Sequence, residues 1–494
     1  MGGNMLDPTT APARRRRTKI VATLGPATSS PEALARLIEA GADVLRLNFS
    51  HGTAKQHGEL VRVARDVARQ LNRDIAILGD LQGPKIRIGR FRDGPIELVP
   101  GERFTLDVSL AEDAGTSEAV GVTYSDLPSD VRPGDVLLLA DGQIVLSVEA
   151  VEMARIICRV DTGGPLSDSK GINRQGGGLS AAALTDKDRA DIRTAAELSV
   201  DYLAVSFPRD GADMELARSL LLEAGGDALL VAKVERAEAL INLDDIIAAS
   251  DVIMIARGDL GVEIGFAELP ALQKEIISAT RKAHKVTITA TQMMESMITS
   301  PIPTRAEVSD VANAVIDGTD AVMLSAETAV GSFPTEVVQA MASTCQSAER
   351  VRTTMISGHR LDARFQFVDE AIAMAAMYLA NHLDVGAIVA LTESGATARW
   401  MSRISSGIPI FALTRHERTR RRVKLYRGVY PVEFDITHTA PEGSSQEIVN
   451  TLLSRDIVSR GDHIIITGGD ASGVSGCTNN LRIVKVGDAA ASGA

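Results

Sequence analysis

Aromatic residues are scarce in this chain. Phe, Trp and Tyr make up 3% of its 494 residues, while 45% are hydrophobic, so its cores must rest on aliphatic side chains. Cysteine is scarcer still. Cys158, Cys345 and Cys477 lie far apart with no CxxC spacing, which excludes a disulfide framework and a cysteine zinc site and points to a reducing, cytoplasmic setting. Net positive charge is absent too: Lys+Arg 52 against Asp+Glu 64 gives −12, which argues against nucleic acid as the main partner. An anionic small molecule is not excluded, because it needs only a local basic pocket. Long apolar runs are also missing. The stretch Ala371–Ala380 is about half of the ~20 residues a membrane span requires, and no apolar core follows Arg14–Arg17, so neither a span nor a signal peptide is expected. That arginine run reads as a solvated tail over residues 1–17.

What is present is repetition. Short runs rich in Val, Ile and Leu recur at Lys19–Leu24, Val44–Phe49, Ile75–Leu81, Tyr202–Phe207, Leu229–Val234, Val252–Ile255, Val286–Ala290 and Ala321–Leu324. They show little alternation, as parallel strands buried on both faces should. Helix starts such as Ser30-Pro31-Glu32 and Thr304-Arg305-Ala306-Glu307 stand between them. Eight such strands alternating with helices predict an α/β fold, a (β/α)8 barrel.

About a hundred residues separate the third run from the fourth, far more than one helix needs. Turn pairs at Gly94-Pro95, Pro100-Gly101, Pro133-Gly134 and Asp141-Gly142 punctuate short strands there, which predicts an inserted β-barrel domain over 88–174. It should emerge at the C-terminal face of the barrel (18–87 and 175–350), where barrel active sites lie, and act as a lid. From about residue 360 the strand–helix alternation restarts, predicting an open α/β domain to residue 494.

The polar residues at the strand ends carry the chemistry. Residues two apart on a strand face the same way, so Arg46 pairs with Asn48 and Lys233 with Glu235. The barrel mouth should gather Arg46, Arg87 and Lys233 beside Glu235 and Asp259. Two carboxylates suit a hard divalent cation, and cations around it suit a phosphate. The set predicts metal-assisted phosphoryl or enolate chemistry. Taken singly, Arg257–Asp259 and Lys233–Glu235 read equally well as structural ion pairs.

Several runs together resemble one family, the pyruvate kinases. They are Thr18–Pro26, Arg46–Gly52, Gly83–Arg87, Lys233–Glu235, Ala256–Glu263, Ala290–Met293 and Leu324–Thr328. The resemblance implies transfer of the phosphoryl group of phosphoenolpyruvate to ADP, giving ATP and pyruvate at the end of glycolysis. It implies Mg2+ (or Mn2+) held by Glu235 and Asp259, with Lys233 against the transferring group. Arg46 and Arg87 would neutralise phosphate, Gly258 and Asp259 would cradle the substrate carboxylate, and Thr291 would stand near the protonated carbon. Lys170 and Asp141 resemble nucleotide-facing lid residues. A homotetramer is implied as well.

Many members of that family need K+ at positions matching Asn48, Ser50, Asp80 and the residue after it, with a Glu where this chain has Lys85. Leu81 removes a hydroxyl ligand and Lys85 brings a positive charge, a pattern similar to the K+-independent members, so K+ is expected to be dispensable. In the C-terminal domain Thr392, Ser394, Gly395 and Thr397 open a helix and resemble the family's effector loop, suited to a phosphorylated effector. Gly468–Gly473 and Gly476–Asn479 resemble the loop that closes over it. The basic stretch Arg415–Arg427 reads as a solvated helix face. Two alternatives stay open at this point: a metal-dependent barrel aldolase acting on phosphoenolpyruvate or pyruvate, and a non-catalytic paralogue that binds a metabolite.

Overall fold

The structure, a computed structural model, describes residues 15–355, 365–435, 444–469 and 476–487. Among them eight parallel strands close into a barrel: Lys19–Thr23, Val44–Asn48, Ala76–Asp80, Tyr202–Val205, Leu229–Val234, Val252–Ala256, Val286–Ala290 and Ala321–Leu324. The buried Val, Ile and Leu side chains of these strands are what made them visible as continuous apolar runs. The third strand pairs directly with the fourth, Leu78 opposite Tyr202 and Asp80 opposite Ala204, so the insertion leaves barrel closure intact.

The expected strand-rich insertion lies between those two strands. Its six-stranded sheet runs in the order Ile172–Arg174, Val136–Leu139, Ile144–Glu152, Arg155–Thr162, Arg103–Asp107, Ala119–Gly121, beside a two-stranded ribbon. Phe104, Leu106, Leu139, Leu146, Ile156 and Leu166 fill its own core. The C-terminal sheet orders Val429–Glu433, Ile410–Thr414, Ala387–Leu391 and His463–Gly468 in parallel, with Asn480–Lys485 as an antiparallel edge. No helix among the described residues is long and apolar enough to cross a membrane. Cys158 and Cys345 are buried free thiols, and Cys477 is half-buried and free.

Two basic stretches depart from the sequence reading. Arg16 and Arg17 are no solvated tail. Arg16 donates to Asp43 Oδ2 at 2.8 Å, and the Arg17 guanidinium donates to the carbonyls of Thr354 (2.7 Å) and Glu349 (2.7 Å). Nor is Arg415–Arg427 a free helix face. Lys424 pairs with Asp43 at 2.8 Å, Arg420 with Asp74 at 3.2 Å, and Arg427 donates to the Thr319 carbonyl at 3.2 Å. The buried Arg403 forks onto Asp320, with one bond of 2.8 Å. Asp43, Asp74 and Asp320 each stand just before a barrel strand, so the C-terminal domain's cations neutralise the N-terminal ends of the second, third and eighth strands. Lys19 joins them. It is 1% exposed, donates to the Val429 carbonyl at 2.6 Å, and lies 4.5 Å from the Tyr430 ring centre. Burial pulls its ammonium down to about 7, against the pull of Asp43.

Removing one member of a buried pair leaves the other charge uncompensated. Arg403→Met should therefore lower the unfolding free energy by about 3–5 kcal/mol. Urea unfolding checks this, and an unchanged midpoint would show that Asp320 is held by its other partners.

Candidate active site

At the C-terminal ends of the strands the side chains gather around one ammonium. Lys233, next to last on the fifth strand, places its Nζ 2.9 Å from Glu235 Oε1 and 3.3 Å from Asp80 Oδ1. It also donates to Ser206 Oγ at 2.7 Å, and that hydroxyl in turn donates to the Leu81 carbonyl at 2.7 Å. The side-chain alternation of a strand thus put Lys233 and Glu235 on one face, as their spacing predicted. Glu235 is 2% exposed, and its other oxygen accepts the Phe207 N–H at 3.0 Å. Burial pushes its carboxyl above the usual range; Lys233 opposes this, while the nearby charges of Asp259 and Asp80 add to it.

Asp259 stands on a helix, Arg257–Ile264, that begins immediately after the sixth strand. Its carboxylate has Lys85 Nζ at 4.0 Å. The Gly258 N–H at the start of that helix donates to Thr291 Oγ1 at 2.8 Å. Thr291 and Gln292 both hold positive φ, +67° and +53°, a strained conformation for residues other than glycine. Arg257 supports this turn by donating to the carbonyls of Thr291 (2.7 Å) and Ala290 (3.2 Å). It also donates to Gln273 Oε1 at 3.4 Å, so it serves the turn and the following helix in place of the ion pair with Asp259 that the sequence also allowed.

The remaining predicted residues are distributed as follows. Arg46 is buried and donates to Thr23 Oγ1 at 3.0 Å. Asn48 Oδ1 accepts the Ser50 N–H at 3.1 Å. Arg87 reaches the insertion, donating to the Ser169 carbonyl at 2.7 Å, beside an exposed Lys170. Asp141, at φ +57°, lines a cavity of about 30 Å3 together with Lys85, Asn173, Asp259 and Glu263. In the C-terminal domain Thr392 Oγ1 accepts the Gly395 N–H at 2.8 Å, and Thr397 Oγ1 bonds Thr478 Oγ1 at 2.7 Å. Ser394 Oγ accepts the Ala396 N–H at 3.4 Å, while Glu393 faces Arg415 at 3.5 Å and bonds His416. The Asp470–Gly473 part of the closing loop lies outside the described residues.

Sequence reasoning missed Ser206 and the supporting role of Arg257. A signal for Ser206 exists in its position, since it directly follows the fourth strand at the mouth where Asp80 ends the third. Glu263 was missed as well. It is 5% exposed, its Oε2 accepts the Ala237 N–H at 2.9 Å, and burial pushes its carboxyl up to about 7 from an ordinary 4.5. A raised folded-state pKa adds stability at low pH that is lost as pH rises through about 7. Urea unfolding from about pH 5 to about pH 8 should thus show a smaller loss of stability in Glu263→Gln than in the native chain. An equal loss in both would remove Glu263 from the pH response.

Comparison with known proteins agrees with this geometry. The family model for the pyruvate kinase barrel domain matches residues 15–338, and that for the pyruvate kinase alpha/beta domain matches residues 370–484. The chain is 56% identical to pyruvate kinase II of Salmonella typhimurium over 479 residues, covering 96% of this chain and 99% of the relative. It is 54% identical to a pyruvate kinase of Haemophilus influenzae, covering 92% and 96%. A crystal structure of a pyruvate kinase from Cryptosporidium parvum superposes with a TM-score of 0.88 at 35% identity, covering 95% of this chain and 96% of the other. The aldolase alternative falls with these matches. A closed barrel whose fifth and sixth strands lead into Glu235 and Asp259, an inserted strand-rich domain and a C-terminal α/β domain place the chain in the pyruvate kinase family, as a phosphotransferase of that class.

Proposed function

We propose that this enzyme moves the phosphoryl group of phosphoenolpyruvate to ADP at the mouth of the barrel and protonates the resulting enolate to pyruvate. The observation that carries the reading is the single ammonium of Lys233 among Glu235, Asp80 and Ser206, with Asp259 close enough to raise the Glu235 carboxyl further. Carboxylates that destabilise one another in a buried site fit a divalent cation. Glu235 and Asp259 would hold Mg2+ or Mn2+, which supplies charge neutralisation for phosphate and enolate oxygens when bound.

The chain's own residues do the rest. Lys233 meets the transferring group and the enolate oxygen with a charge already positioned by three partners, so little reorganisation is needed as negative charge moves. Arg46 and Arg87 offset phosphate charge. Gly258 and Asp259 open a helix whose N-terminal end favours a carboxylate, although the Gly258 N–H itself is engaged by Thr291 Oγ1. Thr291 Oγ1, oriented by Gly258, stands where a proton could be delivered through water. A loose phosphoryl transition state needs this positioning more than it needs a protein nucleophile. The insertion, 88–174, serves as a lid over the barrel segments 18–87 and 175–350, with Asp141 and Lys170 toward the nucleotide. It excludes water that would intercept the phosphoryl group. The α/β domain, 360–494, binds a phosphorylated effector at Thr392, Ser394, Gly395 and Thr397. The enzyme acts as a homotetramer in the cytoplasm at the last step of glycolysis.

Lys233→Met should lower turnover at least about a thousandfold while Mg2+ binding persists, measured by a coupled pyruvate assay and by calorimetry. Retained turnover would refute the role of Lys233. K+ is not required in this reading, since Leu81 offers no hydroxyl and Lys85 carries a fixed charge. Replacing K+ by a bulky tetraalkylammonium at constant ionic strength should leave the rate unchanged, and a large loss would overturn K+ independence.

A further inference from the structure

The inserted domain returns to the barrel through an unusual segment. Gly176, Gly177 and Gly178 all hold positive φ, +80°, +78° and +95°. Side-chain-bearing residues rarely adopt this conformation, so three in succession give the chain freedom to swivel. Immediately before them, Ile172–Arg174 belongs to the insertion's sheet, paired with Val136–Leu139. Arg174 ties its guanidinium to Asp135 through bonds of 3.1 and 3.0 Å, and donates to the Gly177 carbonyl at 2.8 Å.

Glu263 meets this segment from the barrel side. Its carbonyl accepts the Gly176 N–H at 2.9 Å, and its Oε1 accepts Asn173 Nδ2 at 3.4 Å. Its Oε2 accepts the N–H of Ala237, two residues beyond Glu235, at 2.9 Å. Glu263 itself closes the Arg257–Ile264 helix whose first turn carries Asp259. One buried carboxyl group thus touches the return strand of the insertion, the turn after Glu235 and, through its own helix, Asp259. Glu238 reinforces the join by accepting the Gly178 N–H, and Arg236 by donating to the Leu179 carbonyl at 2.5 Å. Further out, a methyl placed on Gly142 of the insertion would sit 3.8 Å from Val262 on the same helix.

We infer that Glu263 is a positioning residue that couples movement of the inserted domain about Gly176–Gly178 to the placement of Glu235 and Asp259. The inference rests on the reading of the insertion as a lid. When the lid swings, the hinge pulls on Asn173 and Gly176. Glu263 passes that displacement to the turn and the helix that present the two carboxylates. Closure and assembly of the charged site become one event, as a site that must not fire while open to water requires.

Hydrogen–deuterium exchange over residues 173–178 of the full-length enzyme, with and without saturating phosphoenolpyruvate and Mg2+, reads the hinge, and steady-state kinetics read the site. In the native enzyme the substrate should slow exchange there. In Glu263→Ala that slowing should be lost and kcat should fall by about tenfold to a hundredfold. Glu263→Gln, which keeps an acceptor for Ala237, should recover most of both. Asn173→Ala breaks only the insertion side of the join and should reproduce the loss of substrate-dependent slowing, which carries the test if Glu263→Ala does not fold. Native-like slowing together with native kcat in Glu263→Ala or Asn173→Ala would overturn the inference. So would a fall in melting temperature with kcat per folded molecule unchanged. If the native enzyme itself shows no substrate-dependent change, it is the lid reading beneath the inference that fails.

Discussion

One half-buried ammonium among carboxylates organises the site. Lys233 is held by Glu235, Asp80 and Ser206, which come from the ends of three neighbouring strands, the fifth, third and fourth. Direct parallel pairing of the third strand with the fourth and the fourth with the fifth brings those ends together, and the two-residue alternation of a strand turns Lys233 and Glu235 the same way. Burial, more than any neighbour, raises the Glu235 carboxyl; the ammonium of Lys233 opposes that rise, and the charges of Asp259 and Asp80 add to it. A group of carboxylates left in this state is one that added positive charge would stabilise, which ties the electrostatics of the site to its architecture.

The barrel treats charge differently at its two ends. At the strand C-termini, charges are grouped with space beside them, as around the cavity lined by Lys85, Asp141 and Asp259. At the strand N-termini they are matched and packed away, with Asp43, Asp74 and Asp320 each answered by a cation. The overall charge of −12 conceals both patterns. It is a statement about the surface as a whole, whereas ligand choice and domain attachment depend on charges within a few ångströms of each other.

What was legible in the sequence follows from range. The barrel strands were visible because burial on both faces leaves uninterrupted Val, Ile and Leu, and the insertion because glycine–proline turns interrupt it. Lys233 and Glu235 were legible as a pair because the period of a strand is local. The Arg257–Ile264 helix was not, since it starts directly from the sixth strand with glycines at positions 258 and 261, which look like turn residues. The arginines of 415–427 were misread for a different reason. Local pattern shows a basic helix, and nothing nearby reveals that Asp74 and Asp43 lie beneath it. Glu263 was hidden in the same way, because its partners at 173, 176 and 237 lie in other parts of the chain.

The underside clamp also bears on how the chain is made. Lys19 and its acceptor Val429 are 410 residues apart, and Asp74 and Arg420 are 346 residues apart. During synthesis the barrel strands emerge before residues 403–429, so Asp74 and Asp320 must wait for Arg420 and Arg403, whereas Asp43 already has Arg16. Contacts of such separation form late because loop closure precedes their reward. A nascent barrel therefore lacks the partners of Asp74 and Asp320 until the C-terminal α/β domain docks, so docking of that domain is the step that seals this end of the barrel.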